Sequence, residues 1–126
     1  METLHPREID LGLERVRVVS QRLTLDQPGF CIITVAGTNG KGSSVAMLEA
    51  ILHAAGYAVG SYSSPHLIDY NERVRIRTEP VSDADLCRAF ERVEAARADT
   101  PLTYFEFGTL AAMELFRRHG MRIVVL

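Results

Sequence analysis

"FCIITVAGTNGKGSSVAMLEAIL", residues 30–52, decides the fold. Its first seven residues are almost continuously apolar and rich in β-branched side chains, the pattern of a strand buried on both faces. Residues 43–55 read as a helix, and Gly56 suits the position just past a helix end. Between them, residues 37–42 form a glycine-rich turn. A buried strand, a glycine turn and a helix are the setting of a phosphate-binding loop, because backbone N–H groups and the helix dipole converge there. Gly37, Gly40 and Gly42 let the backbone curl close to phosphate oxygens with no Cβ in the way. The spacing departs from the usual G-x-x-x-x-G-K-[ST] pattern: Val35 stands where its first glycine belongs, and Gly42 follows Lys41 where a hydroxyl belongs. Lys41 is the only Lys or Arg between Arg22 and Arg73, so a solvated charged face does not explain it. Ser43 and Ser44 offer hydroxyls for a phosphate, a magnesium ion or a plain helix cap. The bland alternative is a strand-to-helix turn capped by a serine.

Working outward, residues 9–23 carry apolar positions at helical spacing, weakened by Gly12, and "TLDQPG" ends that helix. Residues 58–62 read as a second strand, "SSPHLIDYNE" as a polar loop, and "RVRIRT" as a short alternating, half-exposed strand. Ser82 with Asp85, and Thr103 with Glu106, mark two helix starts; the second helix closes at Gly120. "RIVVL" is a last apolar strand, in which the chain stops. Strands separated by helices predict an α/β domain, a P-loop-type, mostly parallel sheet flanked by helices.

The whole chain of 126 residues fits one domain. Its 14 Lys+Arg against 16 Asp+Glu leave a net charge of −2, which favours neither a nucleic-acid surface nor a membrane patch. Cys31 and Cys87 lack metal-type spacing and read as reduced thiols, Cys31 buried. No stretch has the form of a signal peptide or approaches the ~20 apolar residues that span a bilayer. A cytoplasmic protein is expected.

"GTNGKGS" at 37–43 resembles the ATP loop of the Mur-ligase superfamily, where glycine and hydroxyl positions are shifted from the common pattern. "SPHL" at 64–67, "YNERVRI" at 70–76 and "TYFEFGTLAA" at 103–112 together resemble the folylpolyglutamate synthase and dihydrofolate synthase branch. The resemblance runs from about residue 9 to 126.

That resemblance implies an ATP-dependent amide ligase with ATP and Mg2+, acting on dihydropteroate or a folate and on L-glutamate. It assigns Gly37, Thr38, Asn39, Gly40, Lys41, Gly42, Ser43 and Ser44 to the nucleotide, with Lys41 as the catalytic cation. Ser64 becomes a magnesium ligand, with Ser43 on phosphate or metal. Pro65, His66, Leu67 and Tyr70 go to a loop closing over folate and ATP; the alternative is an ordinary Ser-Pro turn with a surface His. Arg73 contacts ligand or positions the loop, while Arg75 and Arg77 read as a solvated strand face. Phe105 lies against a flat pterin ring or in the core, Phe107 in the core, and Glu106 is the capping carboxylate. His53 and His119 sit in last helical turns, which suit cations, and take no catalytic role.

In the family a glutamate and a glycine-rich turn follow the position of Leu126. Further on come a magnesium-binding His, a modified lysine and a glutamate-binding domain. Residues 1–126 are therefore expected to be the N-terminal part of the ATP-binding domain, incomplete and inactive alone. The parent enzyme is expected to be a monomer, and the piece to self-associate through its open sheet edge. Two other readings stand: another Mur-type ligase, which would lack the "SPHL…YNERV" loop, and a non-catalytic nucleotide-binding module or P-loop kinase, against which Gly42 speaks.

Overall fold

A computed structural model of the chain describes residues 6–25, 29–35, 41–63 and 69–126. In chain order these form α1 (Pro6–Arg22), β1 (Cys31–Ile33), α2 (Lys41–Ala54), β2 (Val59–Tyr62), a 3-10 turn at Tyr70–Arg73, β3 (Val74–Ile76), β4 (Glu79–Pro80), α3 (Asp83–Arg97), α4 (Tyr104–Arg118) and β5 (Ile123–Val125). The sheet order is β1-β5-β2-β3-β4. β1, β5 and β2 run parallel, and β3 and β4 extend the sheet as an antiparallel hairpin. The α/β architecture expected from the sequence is the one observed.

Two layers of side chains hold it. Val45 on α2 packs on Val59 and Val125, with Leu48, Leu52 and Ile123 beside them. On the other face Tyr62, Val74 and Val124 meet Val19 of α1, Leu86, Ala89 and Val93 of α3, and Leu110, Leu115 and Phe116 of α4. The period of two along β2 explains the split, since successive side chains point to opposite faces. Gly60 faces α4 so closely that an added Cβ would lie 2.6 Å from Phe116 Cδ1 and 2.7 Å from Cε1. Gly60→Ala is therefore expected to destabilise the chain by about 1–3 kcal/mol through forced displacement of that buried ring. A denaturation midpoint equal to the native one would contradict this.

The local signals act as expected. Ser82 accepts from the Asp85 N–H at 3.2 Å. Thr103 and Glu106 exchange a reciprocal capping box, at 3.1 and 2.9 Å. Gly56, at φ +94°, ends α2: its N–H donates to the His53 carbonyl at 3.0 Å, and that of Tyr57 to Leu52 at 3.1 Å. Gly120 does the same for α4, with Met121 donating to Phe116. These paired bonds satisfy helix-end carbonyls that would otherwise lack donors.

Three expectations need correction. β1 is not buried on both faces, and Cys31 is exposed, because β1 is an outer strand paired only with β5. Ile32 is likewise half-exposed. The glycine turn is shorter than its glycines imply: α2 already includes Lys41 and Gly42. Arg75 is not a solvated side chain but the partner of a buried carboxylate, described next.

Candidate functional site

The hydrogen-bonded ladder between β1 and β5 continues past the strands, through Leu126 N–H to the Ile33 carbonyl at 2.9 Å and Val35 N–H to the Leu126 carbonyl at 2.8 Å. Val35, Leu126 and Ser63 thus come to the same, carboxyl-terminal edge of three parallel strands. From Val35 the chain passes to α2 on one face. From Ser63 it leads through the hairpin to α3 and α4 on the other. Connections that leave one edge for opposite faces open a crevice there, the usual ligand position in open α/β sheets.

Of the residues expected at the nucleotide, Gly37, Thr38, Asn39 and Gly40 lie outside the described residues. Lys41 and Gly42 open α2, whose first turn contains no acidic residue to oppose an anion. Ser43 and Ser44 follow, both exposed. This arrangement leaves the positive end of a 14-residue helix and two hydroxyls free to face phosphate.

Ser64, Pro65, His66 and Leu67 also lie outside the described residues, but the base of their loop is well fixed. The Ser63 N–H donates to the Arg73 carbonyl at 2.9 Å. Asn71 Nδ2 donates to the Val81 carbonyl at 2.7 Å and to Asp83 Oδ1 at 2.9 Å. Arg73 stacks its guanidinium over the Tyr70 ring at 4.9 Å, a contact that positions the turn.

Tyr70 lies on the N-terminal half of α4. Its ring meets Phe90 and Tyr104 edge-on, with centroids 5.8 and 6.3 Å away. With Phe90, Tyr104, Phe107 and Gly108 it lines an apolar cavity of about 430 Å³. Burial, reinforced by the nearby Tyr62 hydroxyl, pushes the Tyr70 phenol up to about 12 from 10.0. Gly108 makes this possible, since a Cβ there would stand 2.3 Å from the Tyr70 hydroxyl and 3.4 Å from that of Tyr62. Phe105 is 62% exposed and Tyr104 73%, so neither belongs to the core. Both stand at the start of α4, where the helix leaves them uncovered. Phe107 packs on Phe90 at 5.6 Å.

Gly108→Ala is expected to displace Tyr70 and return its ionisation towards 10, which an ultraviolet pH titration would read; a phenol still titrating near 12 would contradict the socket. The sign for stability follows. The folded value lies above the unfolded one, so Tyr70's contribution is full below pH 10 and is lost as pH rises towards 12.

Sequence reasoning missed Glu49. It is 4% exposed on α2, accepts from Ser61 Oγ at 3.1 Å and from Arg75 Nε at 3.2 Å through both oxygens, and so ties α2 to β2 and β3. A signal existed: Glu49 is the only carboxylate between Asp26 and Asp69, set in an apolar helix. Among the described residues no group of three or more His, Cys, Asp or Glu could hold a metal. No described helix is long and apolar enough to cross a membrane.

No family model matches the chain. Individual proteins do. The chain is 50% identical over 126 residues to the dihydrofolate synthase/folylpolyglutamate synthase of Escherichia coli (strain K12), covering 100% of itself and 30% of that relative. It superposes with TM-score 0.88 and 54% identity on the bifunctional folylpolyglutamate synthase/dihydrofolate synthase of Yersinia pestis complexed with AMPPNP and Mn ion, over 98% of this chain and 30% of that one. E. coli FolC in complex with DHPP and ADP matches with TM-score 0.87 and 50% identity, over 99% and 30%. The chain spans about 30% of the length of the curated relatives it matches. In sequence and in fold, it corresponds to the N-terminal part of the folylpolyglutamate synthase/dihydrofolate synthase family.

Proposed function

We propose that the chain is the nucleotide-binding part of an ATP-dependent amide ligase that joins L-glutamate to dihydropteroate, to the glutamate tail of a folate, or to both. The observation that carries this reading is the 50% identity along the entire chain to a bifunctional enzyme of that kind. Support comes from the strand-to-helix entry at Lys41, and from relatives that hold AMPPNP with Mn, and DHPP with ADP.

In this reading ATP phosphorylates a substrate carboxylate, and the amino group of glutamate attacks the acyl phosphate and expels phosphate. Phosphoryl transfer asks a protein for positioning and charge neutralisation rather than covalent help. The N–H groups of Gly37, Thr38, Asn39, Gly40 and Gly42 cradle the phosphates, and Lys41 offsets their charge. Ser43 and Ser44 complete the helix-end contacts. Magnesium supplies further charge neutralisation when bound, and the hydroxyls of Ser64 and Ser43 would hold it. Pro65, His66, Leu67 and Tyr70 shape the loop, Arg73 holds it through Tyr70, and Phe105 offers an uncovered ring face for the pterin. Residues 1–126 act as part of the ATP-binding domain, with the glutamate-binding domain elsewhere in the parent, in the cytoplasm. The test is ADP release by the full-length enzyme. Release that requires dihydropteroate or folate together with glutamate is expected; release indifferent to glutamate would overturn the ligase reading.

A further inference from the structure

On the α1/α3/α4 face a second cleft, of about 460 Å³, is lined by Arg22, Arg92, Arg117, Arg118 and Glu114, with small residues between. α4 returns directly into β5 through residues 119–122. Its last turns therefore lie toward the sheet edge opposite Val35 and Ser63, away from the candidate nucleotide site. Glu114 is fully buried. Arg117 Nη2 donates to both of its oxygens at 3.0 and 3.3 Å, and Arg118 Nε to one at 2.8 Å. Arg92 Nε lies 3.7 Å from the same carboxylate. Arg22 is held across the cleft by the carbonyls of Ala96 and Arg97, at 2.9 and 3.2 Å, and by Thr100 Oγ1 at 3.4 Å.

One guanidinium would balance one buried carboxylate. Here three surround it and a fourth stands on the rim, in a chain whose net charge is −2. The ends of α3 and α4 favour cations, but a helix end contributes only about half a charge. Each guanidinium carries five N–H donors in a fixed fork, far more than Glu114 can accept. The Arg117 Nε is itself buried without an acceptor. Glu114 therefore acts as an internal clamp that holds several forks toward one cleft with most of their donors unspent. Such forks match phosphate and carboxylate oxygens in paired contacts.

We propose that this cleft binds a small multivalent anion bearing phosphate or carboxylate groups, at a site separate from the nucleotide crevice. The proposal stands independently of the ligase reading. Its test is a titration of the chain, followed through the arginine Nε–H signals by NMR at constant ionic strength, with inorganic pyrophosphate in one arm and citrate in the other. Saturable shifts at Arg92, Arg117 and Arg118 are expected, and the arm with the tighter midpoint identifies the anion class. The double variant Arg92→Gln/Arg118→Gln leaves the Arg117 bonds to Glu114 in place, and is expected to weaken binding about tenfold or more, the effect of one lost charged contact. Shifts that rise linearly without saturating in both arms, or a folded double variant with undiminished affinity, would overturn the proposal. The native-chain titration decides even if the variant does not fold.

Discussion

Replacing Lys41 by alanine is expected to lower glutamate-dependent ADP release by the full-length enzyme about 100- to 1000-fold, the usual loss when one preorganised charge-stabilising donor is removed from a transition state. The reasoning is local. Lys41 is the first residue of α2, at the carboxyl edge of the parallel strands, and it is the only lysine of the chain. No Lys or Arg lies between it and Arg73 to take over its charge. The loss should fall on kcat, because the charge on the transferring phosphoryl group is greatest in the transition state. Steady-state kinetics separate the cases. A variant with native kcat and a raised KM would make Lys41 a mere binding residue, and native turnover would remove it from the mechanism.

The second large effect is on stability. Glu49→Ala is expected to destabilise the fold by about 3–5 kcal/mol, the range for removing one member of a buried ion pair and leaving the other uncompensated. The upper part of that range is favoured because Glu49 is nearly buried and serves two partners on two strands. Arg75 is more open, with 36% of its side chain exposed, so it can recover some hydration when Glu49 is lost, which limits the cost. The double-mutant cycle with Arg75→Met isolates the pair: a coupling of at least ~1 kcal/mol is expected. Additive single effects would show that the contact contributes no more than surface ion pairs do. The consequence reaches the site, since Glu49 links the helix opened by Lys41 to the two strands that flank the loop at 64–68.

The parts of this fold that are legible in sequence are those encoded by neighbours in the chain. Thr103 and Glu106 sit three residues apart and close their own box. Gly56 and Gly120 end their helices by adopting positive φ. The apolar runs at 59–62 and 123–125 announce strands, and both are largely buried. What failed depended on partners distant in sequence. The run at 31–33 has the composition of a central strand, but only pairing reveals that it is an edge. Arg75 alternates with apolar residues as a solvated side chain would, yet its partner lies 26 residues earlier on α2. The hairpin turn gave no warning either. Arg77 and Thr78 both take positive φ, at 52° and 72°, where asparagine and glycine are the usual signal. In the site, Tyr70 was visible as part of a motif, whereas the reason it can dock, the missing Cβ of Gly108, emerges only when two segments are brought together.

The most direct test of the central claim follows an oxygen atom. Dihydropteroate labelled with 18O in its carboxylate is turned over by the full-length enzyme with ATP and glutamate, and the released phosphate is weighed by mass spectrometry. An acyl phosphate keeps one carboxylate oxygen as its bridge and loses it with the phosphate when the amine attacks, so phosphate carrying a single 18O is the predicted result. Unlabelled phosphate accompanying amide formation would contradict the account.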